Sequence, residues 1–188
     1  PHLDISPVAD AAVIADDQVF AATEHWLHEK PWVNFGMKYS DFINHWFLNT
    51  QSHAIFRMGA PVDLLHHEDL TRTDCERYKL LLVLNVYQLT PVQVESWRSR
   101  LRGSGAIVLW VYAPGHIAPE RLDLAPMEAL TGMRYAVIPE PGRMMITANQ
   151  PAPAMNFGVA SDRGPRFAVR SAGAEILGRW MDNGEPAF

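Results

Sequence analysis

Two apolar runs near the middle of the chain, Leu80–Val86 and Ile107–Tyr112, lack the alternation of a half-exposed strand. Strands without polar alternation are covered on both faces, which is the mark of a parallel sheet sandwiched between helices. Between them, Pro91–Arg102 switches to helical spacing, with Val94, Trp97 and Leu101 on one side. Thr90 and Gln93 form a capping box, and Pro91 takes the first helical position. Upstream, Val8–Ala15 and Pro61–Leu65 read as two further strands. Between those two, Ser40 is placed to cap a helix with an apolar stripe of Phe42, Ile43, Trp46, Phe47, Ala54, Ile55 and Met58. Gly59 closes it as a left-handed C-terminal residue. The loop after Pro61–Leu65 carries either a short helix near Thr73–Arg77 or an irregular crossover, and a helix is expected at Ala125–Leu130, stopped by Gly132. Tyr135–Ile138 is a short fifth strand and Met144–Thr147 a candidate sixth. Residues 149–166, rich in Pro, Gly, Ala and Asn, read as a loop or linker, and Ala172–Met181 as a last short helix or turn. The order predicts a flavodoxin-like, three-layer α/β fold with a mostly parallel central sheet, as one domain over residues 1–188.

At 188 residues, with 48% hydrophobic and 20% charged content, the chain can bury a full core. Its net charge of -5 argues against nucleic acid and anionic membranes as partners. A lone cysteine, Cys75, excludes an internal disulfide and a cysteine-based zinc site, and points to a reducing, cytoplasmic setting. No apolar run is as long as a membrane-spanning helix requires. The chain opens without methionine, so a piece of a longer multidomain protein is expected.

In open parallel sheets ligands sit at the carboxyl ends of the strands. The residues expected there are Asp16, Asp17, Asn85, Tyr87, Tyr112 and His116, a candidate ligand crevice. Asp16-Asp17 and His66-His67-Glu68-Asp69 should share that edge. The preferred reading makes them solvated loop tips that cap the next helix. The sharper alternative is a metal or sugar-hydroxyl site. No metal is assigned, because His25-x-x-His28, one helical turn apart, has no third ligand nearby. Gly103-Ser104-Gly105 precedes a strand instead of following one, so it is not a dinucleotide fingerprint, and no cofactor is expected. The aromatic stretch with Trp26, Trp32, Phe35 and Tyr39 has three readings: a cover over the sheet edge, a subunit interface, or a sugar-stacking surface.

The block YKLLLVLNVYQLTPVQVESWRSRLRGSGAIVLW resembles the class I glutamine amidotransferase-like domain. It is most like the version that follows the catalytic barrel of certain β-galactosidases as their trimerisation domain. VADAAVIADDQVF, SDFINHWFLNTQSHAIFRMGAPVDLLHHEDL and the tail AGAEILGRWMDNGEPAF fit the same template in the same order. The resemblance implies a non-catalytic module that makes oligomer contacts and helps wall a neighbouring sugar site. The glycosidase carboxylates would lie in a barrel, and 188 residues fall short of the roughly 250 typical of that fold. The implied partners are further copies of the chain, a catalytic domain of the same protein, and carbohydrate. The parent amidotransferase reaction needs a cysteine on a turn after a central strand, with a histidine later. Tyr112 or Ala113 occupies that turn, Cys75 precedes the third strand, and His116 is the last histidine, so no catalytic residue is assigned. The alternative is a stand-alone hydrolase or small-molecule-binding protein with a remodelled site in the same crevice.

Overall fold

The computed structural model describes residues 8–21, 25–27, 39–41, 48, 50–72, 75–148 and 155–188. The chain divides into two compact units, Pro1–Leu130 and Thr131–Phe188. In the first, the strands are β1 (Ala11–Ala15), β2 (His25–Leu27) and β3 (Tyr39–Asp41), followed by helix α1 (Gln51–Phe56) and β4 (Val62–His66). After two 3-10 turns, His67–Thr71 and Cys75–Arg77, come β5 (Leu80–Val83), helix α2 (Pro91–Ser104), β6 (Ile107–Trp110) and helix α3 (Leu124–Thr131).

Four strands form a sheet in the order β4-β1-β5-β6, and every pairing is parallel. The fold is therefore α/β with a mostly parallel central sheet. Alternate residues of the two inner strands feed separate clusters. Ala12, Ile14, Leu81 and Val83 pack with Val94 and Trp97 of α2, while Val13 and Leu82 pack with Ile55 of α1. Period-two alternation sends them to opposite faces, so helices cover both sides and make three layers.

α2 follows its expected boundaries. The Gln93 amide donates to Thr90 Oγ1 at 3.3 Å and the Thr90 amide to Gln93 Oε1 at 2.8 Å, so two amides that lack helical partners are satisfied. Gly105 ends it at φ 68, where a side chain would strain the backbone.

Several expectations change. Ser40 does not cap a helix, because Tyr39–Asp41 pairs antiparallel with His25–Leu27. Of the helix placed before Gly59, Gln51–Phe56 is described and Phe42, Ile43, Trp46 and Phe47 lie outside the described residues. Ile55 is buried as expected, whereas Ala54 and Met58 face solvent. The first strand begins at Ala11 instead of Val8, which is exposed. The third and fourth end at Val83 and Trp110, earlier than Val86 and Tyr112, because the chain leaves the ladder to build the carboxyl edge. Nor is the fourth covered on both faces: Ile107 is 72% and Leu109 50% exposed. β6 is an edge strand, and its apolar composition does not distinguish it from a central one.

The second unit is antiparallel. It contains β7 (Tyr135–Ile138), β8 (Gly142–Ala148), β9 (Met155–Arg163), β10 (Arg166–Val169) and β11 (Gly178–Trp180). β11-β8-β9 form one sheet and β10-β7 a separate pair. Residues 149–166 are thus not a linker throughout, because Met155–Arg163 is a strand. Its Gly158 has φ 106, and a Cβ there would lie 1.9 Å from the Met144 carbonyl oxygen. Glycine is what lets β9 approach β8 so closely, beside a break in register at Arg143/Met144. Ala172–Met181 holds a turn and then β11, with no helix.

Candidate functional site

Register assembles the carboxyl edge. Ala15 of β1 pairs with His66 of β4, so Asp16 and His67 leave adjacent strands side by side. Asn85, two residues beyond β5, fixes Asp16 from the other flank. The Asp16 amide donates to Asn85 Oδ1 at 2.8 Å, and Asn85 Nδ2 donates to the Asp16 carbonyl at 2.7 Å. A fully buried amide side chain thereby satisfies backbone groups that have left the ladder. Asp16 Oδ1 also accepts from the Gln18 amide at 2.8 Å.

Two histidine rings, 4.3 Å apart, converge on this carboxylate. His67 Nδ1 lies 3.3 Å from Asp16 Oδ1, and His66 Nε2 lies 4.0 Å from the same oxygen and 3.1 Å from Asp17 Oδ1. Asp16 is 1% and His67 3% exposed, so these two are not the solvated tips expected from sequence. Asp17 does face solvent. Burial opposes protonation of His67, but the Asp16 carboxylate, with Glu68 and Asp17 behind it, outweighs burial and holds its pKa above the ordinary value.

Two of the remaining crevice residues pack against each other. Tyr87 and Tyr112 meet edge to face with ring centres 5.6 Å apart. Tyr112 has φ 69, a left-handed backbone that is uncommon for a bulky residue. Burial raises its phenol pKa far above the ordinary value. The loop after it runs along the end of β5: the Gly115 amide donates to Val86 at 2.9 Å and the Ile117 amide to Tyr87 at 2.8 Å. Asn85, Tyr87 and His116 are buried, so side chains fill this part of the edge.

His116 is held neutral. Burial lowers its pKa below the ordinary value, and the Asp123 carbonyl, 3.1 Å from Nδ1, offsets this only in part. Below the unfolded value of about 6.5 the unfolded chain then binds more protons than the native one. The contribution of His116 is complete above that value and is lost as pH falls through the lowered native pKa; His67 works in the opposite sense. We expect His116→Asn, which keeps a donor near the Asp123 carbonyl, to lose less stability than wild type between about pH 7.5 and about pH 5. Urea midpoints at the two pH values check this, and an equal or larger loss in the variant counts against a neutral His116.

The edge thus gathers Asp16, Asp17 and Asn85 with His66 and His67, while Tyr87 and Tyr112 pack together and His116 is tied to Asp123. Trp26 and Tyr39 lie in the β2–β3 pair, where Trp26 faces Ser40 and Leu27 faces Tyr39 in register; Trp32 and Phe35 lie outside the described residues. Cys75 precedes β5, at the amino end of the sheet, where its thiol donates to the Leu70 carbonyl at 3.8 Å.

No family model and no curated protein matches this chain. Solved structures do. Over 98% of its length it resembles 26% of the β-galactosidase from Bacillus circulans sp. alkalophilus, with TM-score 0.64 and 17% identity. Over 95% it resembles 25% of Gan42B, a GH42 β-galactosidase from G. stearothermophilus, with TM-score 0.60 and 13% identity. The β-galactosidase from the Antarctic haloarchaeon Halorubrum lacusprofundi gives TM-score 0.57 and 18% identity over 95% of this chain and 25% of its own. The chain therefore has the fold of a segment of these β-galactosidases and spans about a quarter of their length. Among the described residues, no helix is long and apolar enough to cross a membrane.

Proposed function

We propose that this chain is a non-catalytic, amidotransferase-like module of a β-galactosidase-like enzyme, serving oligomerisation and shaping a sugar site supplied by another domain. The observation that carries the reading is its likeness, over nearly its whole length, to a quarter-length segment of several β-galactosidases. The strand order supports the flavodoxin-like part. Renumbered along the chain, the parallel strands run 2-1-3-4, as in doubly wound folds with the switch point between the first and third.

The turn after β6 supports the amidotransferase-like part. A nucleophile elbow holds its residue in strained backbone at a strand's end. Tyr112 has that conformation, but its phenol, with a raised pKa, has the wrong chemistry, and the chain has no histidine beyond His116 in the same loop. The module's work would then be contact, and residues 1–188 would act as one module.

The purified chain is expected to hydrolyse neither glutamine nor aryl galactosides, and Cys75→Ser should change neither result. A glutaminase activity that vanishes in Cys75→Ser would sink the non-catalytic reading. Sedimentation should show self-association, weakened by Trp26→Ala or Trp32→Ala by about 2 kcal/mol if these rings anchor the contact. A chain that stays monomeric at high concentration would remove the self-assembly role.

A further inference from the structure

We infer that Asp16, His66 and His67 form a binding site for a divalent transition ion of the zinc class, at the carboxyl edge of the parallel sheet. The inference is independent of the assembly reading above. It begins with donor placement. One oxygen of Asp16 and one nitrogen from each histidine lie within 4.8 Å of one another. Zinc bonds of about 2.0–2.2 Å to nitrogen and carboxylate oxygen set tetrahedral neighbours roughly 3.4 Å apart. His67 Nδ1 already lies 3.3 Å and His66 Nε2 4.0 Å from Asp16 Oδ1, so a slight turn of the His66 ring closes the set.

A second observation points to a ligand. His67 Nδ1 is buried and lies 3.3 Å from Asp16 Oδ1, yet among the described residues no hydrogen bond of good geometry reaches it. A polar atom left this way is costly, and an ion bound through its lone pair would satisfy it. Asp16 Oδ1 accepts from the Gln18 amide, and a carboxylate has acceptor capacity for more. Asn85 grips the Asp16 backbone from both sides, the outer support that keeps a ligand in place. Asp17 stands outside this donor set, its carboxylate 3.1 Å from His66 Nε2, so water would complete the coordination.

The donor set selects the ion. Two imidazoles and one carboxylate suit zinc, cobalt or nickel, whereas magnesium and calcium demand oxygen. Coordination through His66 Nε2 puts the ring proton on Nδ1, so the long 3.4 Å contact from the Glu68 amide is given up. The ion would bridge the ends of β1 and β4, neighbours in the sheet, and act as a staple between them.

Zinc titration of the full chain by calorimetry tests this, with cobalt absorption as a second readout. One ion per chain is expected, cobalt should show visible bands of tetrahedral type, and magnesium should not compete. His66→Ala and His67→Gln should each weaken zinc binding at least about tenfold, while replacing exposed His53 of α1 by alanine (His53→Ala) should not. If His67→Gln fails to fold, His66→Ala decides alone, because His66 is partly exposed. Absence of zinc binding, or binding that His66→Ala leaves unchanged, overturns the site.

Discussion

Replacing Asp182 with alanine should destabilise the second unit by about 3–5 kcal/mol. Arg166, in β10, is 2% exposed, an uncommon place for a guanidinium. Its Nη1 donates to both carboxylate oxygens of Asp182, at 2.7 and 2.8 Å, and Nη2 donates to the Glu140 carbonyl at 3.2 Å. The guanidinium also lies 5.5 Å from the centre of the Trp180 ring. Removing the carboxylate strands a buried cation that cannot shed its proton. The opposite change should be milder. In Arg166→Met the volume remains, and Asp182, about one-third exposed, regains water. Gly142 belongs to the same arrangement: a Cβ there would lie 2.3 Å from Arg166 Nη2, so Gly142→Ala should mimic part of the damage. Chemical unfolding followed by far-ultraviolet circular dichroism should rank Asp182→Ala below Arg166→Met. The reverse order would mean that the ion pair does not organise this unit.

That pair was invisible in the chain because its members lie sixteen positions apart, across turn and strand, and no local pattern links them. The first unit was easier. Apolar runs such as Leu80–Val83 declare burial by composition alone, and the Thr90–Gln93 box marks a helix start within four residues. What failed there was coverage: the apolar residues of β6 read as doubly buried, yet an edge strand leaves Ile107 and Leu109 open. β9 failed for a different reason. Glycine, alanine and serine dilute its strand signal, and Gly158 is required by the approach of β8, a tertiary fact.

The carboxyl edge follows the same division. That Asp16 and His66 would both end strands could be read from where the apolar runs stop. That the carboxylate and His67 would be buried could not, because burial depends on the register of β1 on β4 and on Asn85 arriving from β5. Acidic and histidine clusters after strands are usually solvated, and here Asp17 and Glu68 behave so while Asp16 and His67 do not. Tyr112 shows how much backbone geometry adds: nothing in its letter predicts the left-handed φ of 69 that it takes just after β6.

Trp97→Ala should cost the first unit about 3–5 kcal/mol, the upper range for truncating a core aromatic. Trp97 is fully buried and holds α2 against the sheet beside Ala12, Ile14, Leu81 and Val83, with the Trp110 ring 6.2 Å away. Alanine would leave a cavity bounded by strands that cannot move together without breaking their ladders. Trp97→Phe separates volume from polarity. The buried indole N–H has no hydrogen-bond partner among the described residues. Phenylalanine deletes that donor, so part of the lost packing is offset by an amine no longer stranded in an apolar site. Its penalty should therefore fall well below that of alanine. Urea unfolding by far-ultraviolet circular dichroism, with unchanged m values, measures both. Equal penalties would show that the ring's volume does not set the cost. A loss below about 1 kcal/mol for Trp97→Ala would show that α2 docks through other contacts.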